Sequence, residues 1–398
     1  SIEKFLNKNN KKLIGWDEIL EGGLAQNAAV MSWRGTEGGI AAAKQNHNVV
    51  MTPGSHCYFD HYQGHPSIEP LAIGGFTPLE KVYDYNPIPA ELNKIESKYI
   101  LGAQANIWTE YITTNKGVEY AAMPRMAALA EVLWTPLENK NLTRFLKDIQ
   151  VHFNYLDLYK TNYSTSIYNI NYDIKKDSAS NQYYLKLNNV LIENNAQMPN
   201  DSIVLLNENN QALGYKAPIL LNKSFKGQTQ FKRDKSLKGK ATPIEFNYHK
   251  AVGKEITFKE APSKYYNQGN ITDGQRAHFP RINNEWLAWS GLNMEASIDL
   301  KDTAVLESLS IGFLKNESDW IYLPSQVEIY ISLDNIHFVK LDKKPTTTEN
   351  NGRNNYHYKL NKIGVKYLKI VANCAPKIEQ GKPGAGENAW LFVDEIEI

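Results

Sequence analysis

Four short stretches of this chain set an aromatic residue beside groups that bind or transfer protons. Trp16 is followed by Asp17 and Glu18, Trp33 by Arg34 and Gly35, Tyr58 stands two residues before Asp60, and Trp108 two before Glu110. In extended backbone, residues two apart point the same way, so each of the last two pairs would present its ring and its carboxylate together. Flat indole faces suit the C–H faces of a pyranose, and carboxylates and a phenol suit its hydroxyls. A single Trp at a strand end is more often core than ligand platform, and a single carboxylate there more often caps the next helix. Four such ends in succession point to a site.

These residues sit where apolar runs stop. The runs cover residues 12–16, 28–33, 48–52 and 99–108, and between them lie helical stretches at 38–44, 78–85 and 124–134. Met126, Leu129, Ala130 and Leu133 keep helix spacing, with Pro124 suited to a first-turn position. Strand then helix, repeated, predicts a parallel sheet over residues 1–159. In a closed β/α barrel the C-terminal ends of all strands meet at one mouth, which would bring these distant residues together.

From residue 164 the texture changes to short alternating strands with Asn, Gly and Asp turns, at 183–187, 202–206 and 244–247. Residues 164–260 read as a small all-β domain and 261–398 as a second one, with strands near 296–300, 305–313, 325–332, 366–372 and 390–398. The polar stretch 343–355 predicts an exposed loop.

Composition excludes more than it assigns. The 398 residues exceed one ordinary domain, and a formal net charge of +1 gives no general attraction to nucleic acid or anionic lipid. No apolar run approaches the roughly 20 residues of a spanning helix. The chain opens Ser-Ile-Glu in what reads as the middle of a helix, so its start is expected to lie upstream. Cys57 and Cys374 are far apart and predict buried thiols, not a disulfide framework. His56, His61 and His65 lie in a segment broken by Pro53, Gly54 and Gly64, without the fixed spacing of a metal site.

The segments KKLIGWDEIL (11–20), AVMSWRG (29–35), VVMTPGSHCYFDHYQ (49–63), LGAQANIWTEY (101–111) and MPRMAALAEVLW (123–134) resemble, in order and spacing, the second half of a glycoside hydrolase family 20 β-N-acetylhexosaminidase barrel. The resemblance implies a partial TIM barrel, strands five to eight. It implies that Trp16, Trp33 and Trp108 box the N-acetyl group and ring, that Tyr58 hydrogen-bonds the acetamido carbonyl, and that Asp60 and Glu110 hold ring hydroxyls. Arg34 would anchor its loop. The implied mechanism is substrate-assisted retention, in which the 2-acetamido oxygen attacks the anomeric carbon and no protein nucleophile is required. It does require a general acid with an adjacent Asp, in the family an Asp-Glu pair after strand four. Asp17-Glu18 follows the strand-five tryptophan instead and is expected to support the loop or cap a helix. The acid, strands one to four and a sugar-binding arginine are therefore expected on a missing N-terminal half, the implied partner, and this chain alone is expected to be inactive. Catalysis would need no cofactor, and the ligands would be N-acetylhexosamine-containing glycans. A bacterial secreted, periplasmic or outer-surface location is the matching expectation.

ITDG (271–274), WLAWSG (286–291), ASIDL (296–300), QVEIYISLDN (326–335) and FVDEIEI (392–398) resemble a discoidin-like domain, a sandwich also used as a carbohydrate-binding module. That resemblance implies a possible structural calcium held by Asp273 and Glu395. Trp286, Trp289 and Trp320 are expected in the core, one of them open to a role as sugar platform. A second class of function stays open: a non-catalytic glycan-binding protein with a vestigial half barrel.

Overall fold

A computed structural model describes residues 2–180, 182–216, 218–267, 269–278, 285–347 and 349–398. The chain divides into two compact units, one of residues 1–171, 188–204 and 230–242, the other of 172–187, 205–229 and 243–398.

The first unit opens with α1 (Ile2–Lys8) and is built on a four-stranded parallel sheet in sequential order: β1 (Ile14–Trp16), β2 (Ala29–Ser32), β3 (Val49–Met51) and β4 (Ile100–Ala103). Trp16 pairs with Met31, Ser32 with Met51, and Val50 with Gly102, so the C-terminal ends of the strands lie side by side. Each strand is shorter than its apolar run. The longest predicted one, 99–108, is strand only to Ala103, because residues 104–108 leave the ladder to join the loop after β3.

Helix α2 (Glu37–Lys44) carries Glu in its first turn and Lys in its last, matching the helix dipole. It presses closely on the sheet: a Cβ at Gly39 would stand 2.6 Å from the Met51 sulfur. After β3 come α3 (Gly54–Cys57) and α4 (Leu79–Asp84), and after β4 come α5 (Asn115–Ala122), α6 (Arg125–Trp134) and α7 (Leu142–Leu158). Asn141 caps α7 by accepting the Arg144 N–H at 2.9 Å, and the helix buries Phe145, Leu146, Ile149, Phe153 and Leu156 along one stripe.

The remainder is β-rich. A three-stranded sheet has the order β5 (Asn171–Lys176), β6 (Tyr183–Asn188) and β9 (Ile219–Leu221). The short helix α8 (Val190–Glu193) and strands β7 (Asp201–Asn207), β8 (Ala212–Leu213), β10 (Phe225–Arg233) and β11 (Ser236–Phe246) complete residues 164–246. The second unit's main sheet contains β12 (Ile256–Phe258), β13 (Leu287–Ser290), β14 (Met294–Lys315), β15 (Gln326–Ser332), β16 (Val339–Lys340), β17 (Gly352–Asn373) and β18 (Trp390–Glu397). The predicted strands 296–300 and 305–313 are one strand, β14, which passes Asp299–Ala304 through a register shift with Lys301 at φ 71°. The predicted loop 343–355 ends early, since residues from Gly352 pair with β14 up to Lys315.

Trp286 and Trp289 are fully buried. Trp320 is not core: it is 41% exposed, with φ 63° in the turn that closes residues 316–319. Cys57 and Cys374 are buried free thiols.

Candidate active site

The six residues singled out by type and spacing all line one cavity of about 540 Å³ in the first unit: Trp16, Trp33, Tyr58, Asp60, Trp108 and Glu110. Trp16 ends β1, and Trp33 is the first residue after β2. Tyr58 and Asp60 follow α3, in the loop after β3, and Trp108 and Glu110 lie on the loop after β4. The Trp16 and Trp108 ring centroids are 6.0 Å apart at 42°, and Trp33 and Tyr58 stack at 6.4 Å and 29°.

Polar clamps fix these loops. Asp17, 2% exposed, accepts the backbone N–H groups of Trp33 and Arg34 at 3.0 and 3.2 Å and the Arg34 Nε–H at 2.6 Å, tying the end of β1 to the end of β2. Arg34 also pairs with Glu21 at 2.8 Å and is not among the residues lining the cavity. On the other side, Phe59 N donates to Asn106 O at 2.7 Å and Asn106 N to Cys57 O at 2.8 Å, while Asn106 Nδ2 donates to Thr52 Oγ1 at 2.7 Å. This zipper couples the loop of Tyr58 and Asp60 to that of Trp108 and Glu110.

Arg125, fully buried, holds the same loop from beneath. Its guanidinium donates to the carbonyls of Phe59, His61, Thr77 and Ala121 and lies 4.8 Å from the Phe59 ring centre. Burial pulls this group down to about 9, which leaves it charged at neutral pH.

Asp60 is 7% exposed, and its Oδ1 has no hydrogen-bond partner. Burial raises its pKa, and the Glu110 charge adds to the rise. Burial likewise raises the Tyr58 hydroxyl, which therefore keeps its proton as a donor. The cavity thus offers indole walls, a protonated phenol and three carboxylates, those of Glu18, Asp60 and Glu110. Such a lining suits a sugar carrying a flat polar substituent.

Sequence reasoning left out several lining residues. The His61 ring lies against Tyr58, tilted by 39° with centroids 5.5 Å apart, and Ile73, Gly74 and Gly75 also line the cavity. Gly75, at φ 64°, leaves no room for a Cβ, which would meet the His61 ring at 2.5 Å. Glu18 also lines the cavity, its carboxylate accepting the Trp33 indole N–H at 3.0 and 3.1 Å. A Glu beside a Trp was the signal available, but its partner 15 residues away was not.

In the second unit, Glu395 is fully buried, accepts the Gly274 N–H at 2.9 Å, meets His249 Nε2 at 2.9 Å, and has an unpartnered Oε2. Asp273 accepts from Gln275 through both oxygens, at 2.9 and 3.1 Å. Burial raises both carboxyls, Asp273 to about 6, and the Asp273 charge adds to the rise at Glu395. A buried carboxylate with an orphaned oxygen and a half-buried one are donors that a hard cation would accept. Among the described residues, no group of three or more His, Cys, Asp or Glu is arranged to hold a metal ion.

Residues 1–137 match the family described as Glycosyl hydrolase family 20, catalytic domain. A β-hexosaminidase of Porphyromonas gingivalis is 56% identical over 162 residues, which are 40% of this chain and 21% of that protein. A β-N-acetylhexosaminidase of Cellulomonas fimi is 29% identical over 153 residues, 37% of this chain and 30% of that one. Among solved structures, the GH20 exo β-N-acetylglucosaminidase of Vibrio harveyi in complex with N-acetylglucosamine is 31% identical, with a TM-score of 0.38 over 41% of this chain and 26% of that chain. The chain therefore spans about a fifth to a third of the length of these relatives.

Proposed function

We propose that this chain belongs to a β-N-acetylhexosaminidase that removes terminal β-linked N-acetylglucosamine or N-acetylgalactosamine by substrate-assisted retention. The observation that carries the reading is the single cavity lined by Trp16, Trp33, Trp108, Tyr58, Asp60 and Glu110. The match of residues 1–137 and the hexosaminidase relatives support it.

In this reading the three indoles enclose the N-acetyl group and the ring, and Tyr58 donates its O–H to the acetamide carbonyl. That bond orients the carbonyl oxygen for attack on the anomeric carbon. The glycosidic C–O bond breaks, an oxazolinium ion forms, and a general acid protonates the leaving oxygen. Water then opens the ring and restores the acetamide. Asp60 and Glu110 accept ring hydroxyls. The acid and its Asp partner are assigned to residues outside this sequence, on an N-terminal half that completes the barrel. Residues 1–159 are the C-terminal half of that barrel, strands five to eight. Residues 164–260 are an accessory all-β domain, and 261–398 a discoidin-like carbohydrate-binding sandwich with calcium on Asp273 and Glu395. The chemistry suits glycan breakdown outside the bacterial cytoplasm, in the periplasm or at the outer surface.

The test is turnover of p-nitrophenyl N-acetyl-β-glucosaminide by the purified chain, alone and mixed with an N-terminal half bearing the Asp-Glu pair. General acid help alone is commonly worth about 10² to 10⁴ in rate, so activity should appear only on mixing. Turnover by the chain alone would place the acid among its own residues. Sugar binding without turnover in the mixture would favour a non-catalytic glycan-binding protein.

A further inference from the structure

The end of β1 holds Trp33 twice. Asp17 takes its backbone N–H at 3.0 Å, and the next residue, Glu18, takes its indole N–H with both carboxylate oxygens, at 3.0 and 3.1 Å. Main chain and side chain are thus fixed by consecutive residues, 15 to 16 positions away in sequence. Trp33 is only half-buried, so packing alone leaves its indole room to turn about the Cβ–Cγ bond. The position of the ring matters to its neighbour, because Tyr58 stacks on it at 6.4 Å.

We infer that Glu18 is a positioning residue: its carboxylate sets the indole of Trp33 as a wall of the cavity and, through that wall, the placement of Tyr58. This inference rests on the sugar-binding reading above for its consequence, but not for its geometry. The Glu18 carboxyl titrates below its ordinary range, and the indole N–H is the first cause. The bond is therefore made to the charged form. Glu18 touches the reacting atoms nowhere in this scheme and acts only through Trp33. An exposed glutamate that met the indole by accident would leave the ring where it is when removed.

The experiment uses the full chain labelled with ¹⁵N at tryptophan, with the Trp33 indole N–H assigned by its loss in Trp33→Phe. In the native chain this resonance should lie downfield and move as pH falls through the Glu18 titration. In Glu18→Gln the titration should vanish while the resonance stays sharp, because the amide oxygen still accepts. In Glu18→Ala it should shift upfield and broaden. Titration with N-acetylglucosamine gives the second readout: affinity should fall about tenfold in Glu18→Ala and return to within about threefold in Glu18→Gln, as expected for loss and partial rescue of an oriented contact. A Trp33 resonance that ignores both pH and Glu18→Ala overturns the inference. So does unchanged sugar affinity in Glu18→Ala alongside a displaced resonance. If N-acetylglucosamine binds neither the native chain nor its mixture with the N-terminal half while the resonance follows Glu18 as described, the sugar reading fails and the positioning of Trp33 by Glu18 stands.

Discussion

Replacing Arg125 with Met tests how the cavity is held, independently of what it binds. The guanidinium donates to four main-chain carbonyls, those of Phe59, His61, Thr77 and Ala121, and no part of it reaches solvent. Methionine fills much of the volume and donates nothing. Leaving a buried carbonyl unpaired costs about 1–3 kcal/mol each, and some of these carbonyls would turn toward water. Loss of the guanidinium over the Phe59 ring costs about 1 kcal/mol more. With one or two of the four carbonyls left buried and unpaired, the loss expected is about 2–5 kcal/mol. Arg125→Lys should retain part of it, since an ammonium reaches fewer of the carbonyls. Asp60 should respond as well: the Arg125 charge now lowers its pKa against burial, so the variant should protonate Asp60 at higher pH than the native chain. Urea unfolding at neutral pH, followed by tryptophan fluorescence, measures the first effect, and the pH dependence of ligand binding the second. A loss below about 1 kcal/mol would refute the view that this one side chain fastens the loop bearing Tyr58 and Asp60.

Tyr58→Phe in the complete enzyme should lower kcat by about 10² to 10³ with little change in KM, the usual cost of one oriented donor of about 2.7–4 kcal/mol; unchanged turnover would remove the hydroxyl from the mechanism. His61 is pushed down to about 4 by burial and by the Arg125 and Lys81 charges, so its contribution to stability is present above its unfolded value near 6.5 and is lost as pH falls toward 4. After allowance for partial exposure, that loss should be about 2 kcal/mol between pH 6.5 and 4, and His61→Gln should flatten it in urea titrations across the window. Calcium should raise the melting temperature of the native chain and not that of Asp273→Asn; equal melting curves in calcium and in chelator would count against a cation on Asp273 and Glu395.

What could be read from the sequence, and what could not, follows from the range of each interaction. The β-branched run of Val49 and Val50 and the Ala-rich 41–43 announce strand and helix within a few residues, so the four parallel strands and helices α2, α4 and α6 were legible, whereas α5 and α7 were not expected. The gathering of Trp16, Trp33, Tyr58 and Trp108 follows from that order, because parallel strands in sequence put their C-terminal ends side by side. Strand β14 was misread as two because Lys301-Asp302-Thr303 looks like a turn, whereas its partner β17 carries the ladder through a bulge. Trp320 was placed in the core by residue type, but it sits in a turn at φ 63°, its ring packed so closely on Gly384 that a Cβ there would come within 2.6 Å, and it is 41% exposed. The bond from Trp33 to Glu18 and the hold of Arg125 on the Phe59 loop were not legible, because those partners lie 15 and 66 positions apart in sequence.

Asp60 draws these features together. Its loop is pinned by Arg125 and zippered to Asn106, and its carboxyl is raised by burial and by Glu110, yet Oδ1 is left without a donor. A buried acceptor in that condition carries a cost of about 1–3 kcal/mol that a bound hydroxyl would remove. A hydroxyl donated to the charged form would also lower the pKa, so ligand binding and ionisation of Asp60 favour each other. The unfilled hydrogen bond and the clamps that prevent the loop from relaxing toward water are parts of one arrangement. Loosening the clamp would satisfy Asp60 with solvent and weaken the cavity's hold on a hydroxyl-bearing ligand.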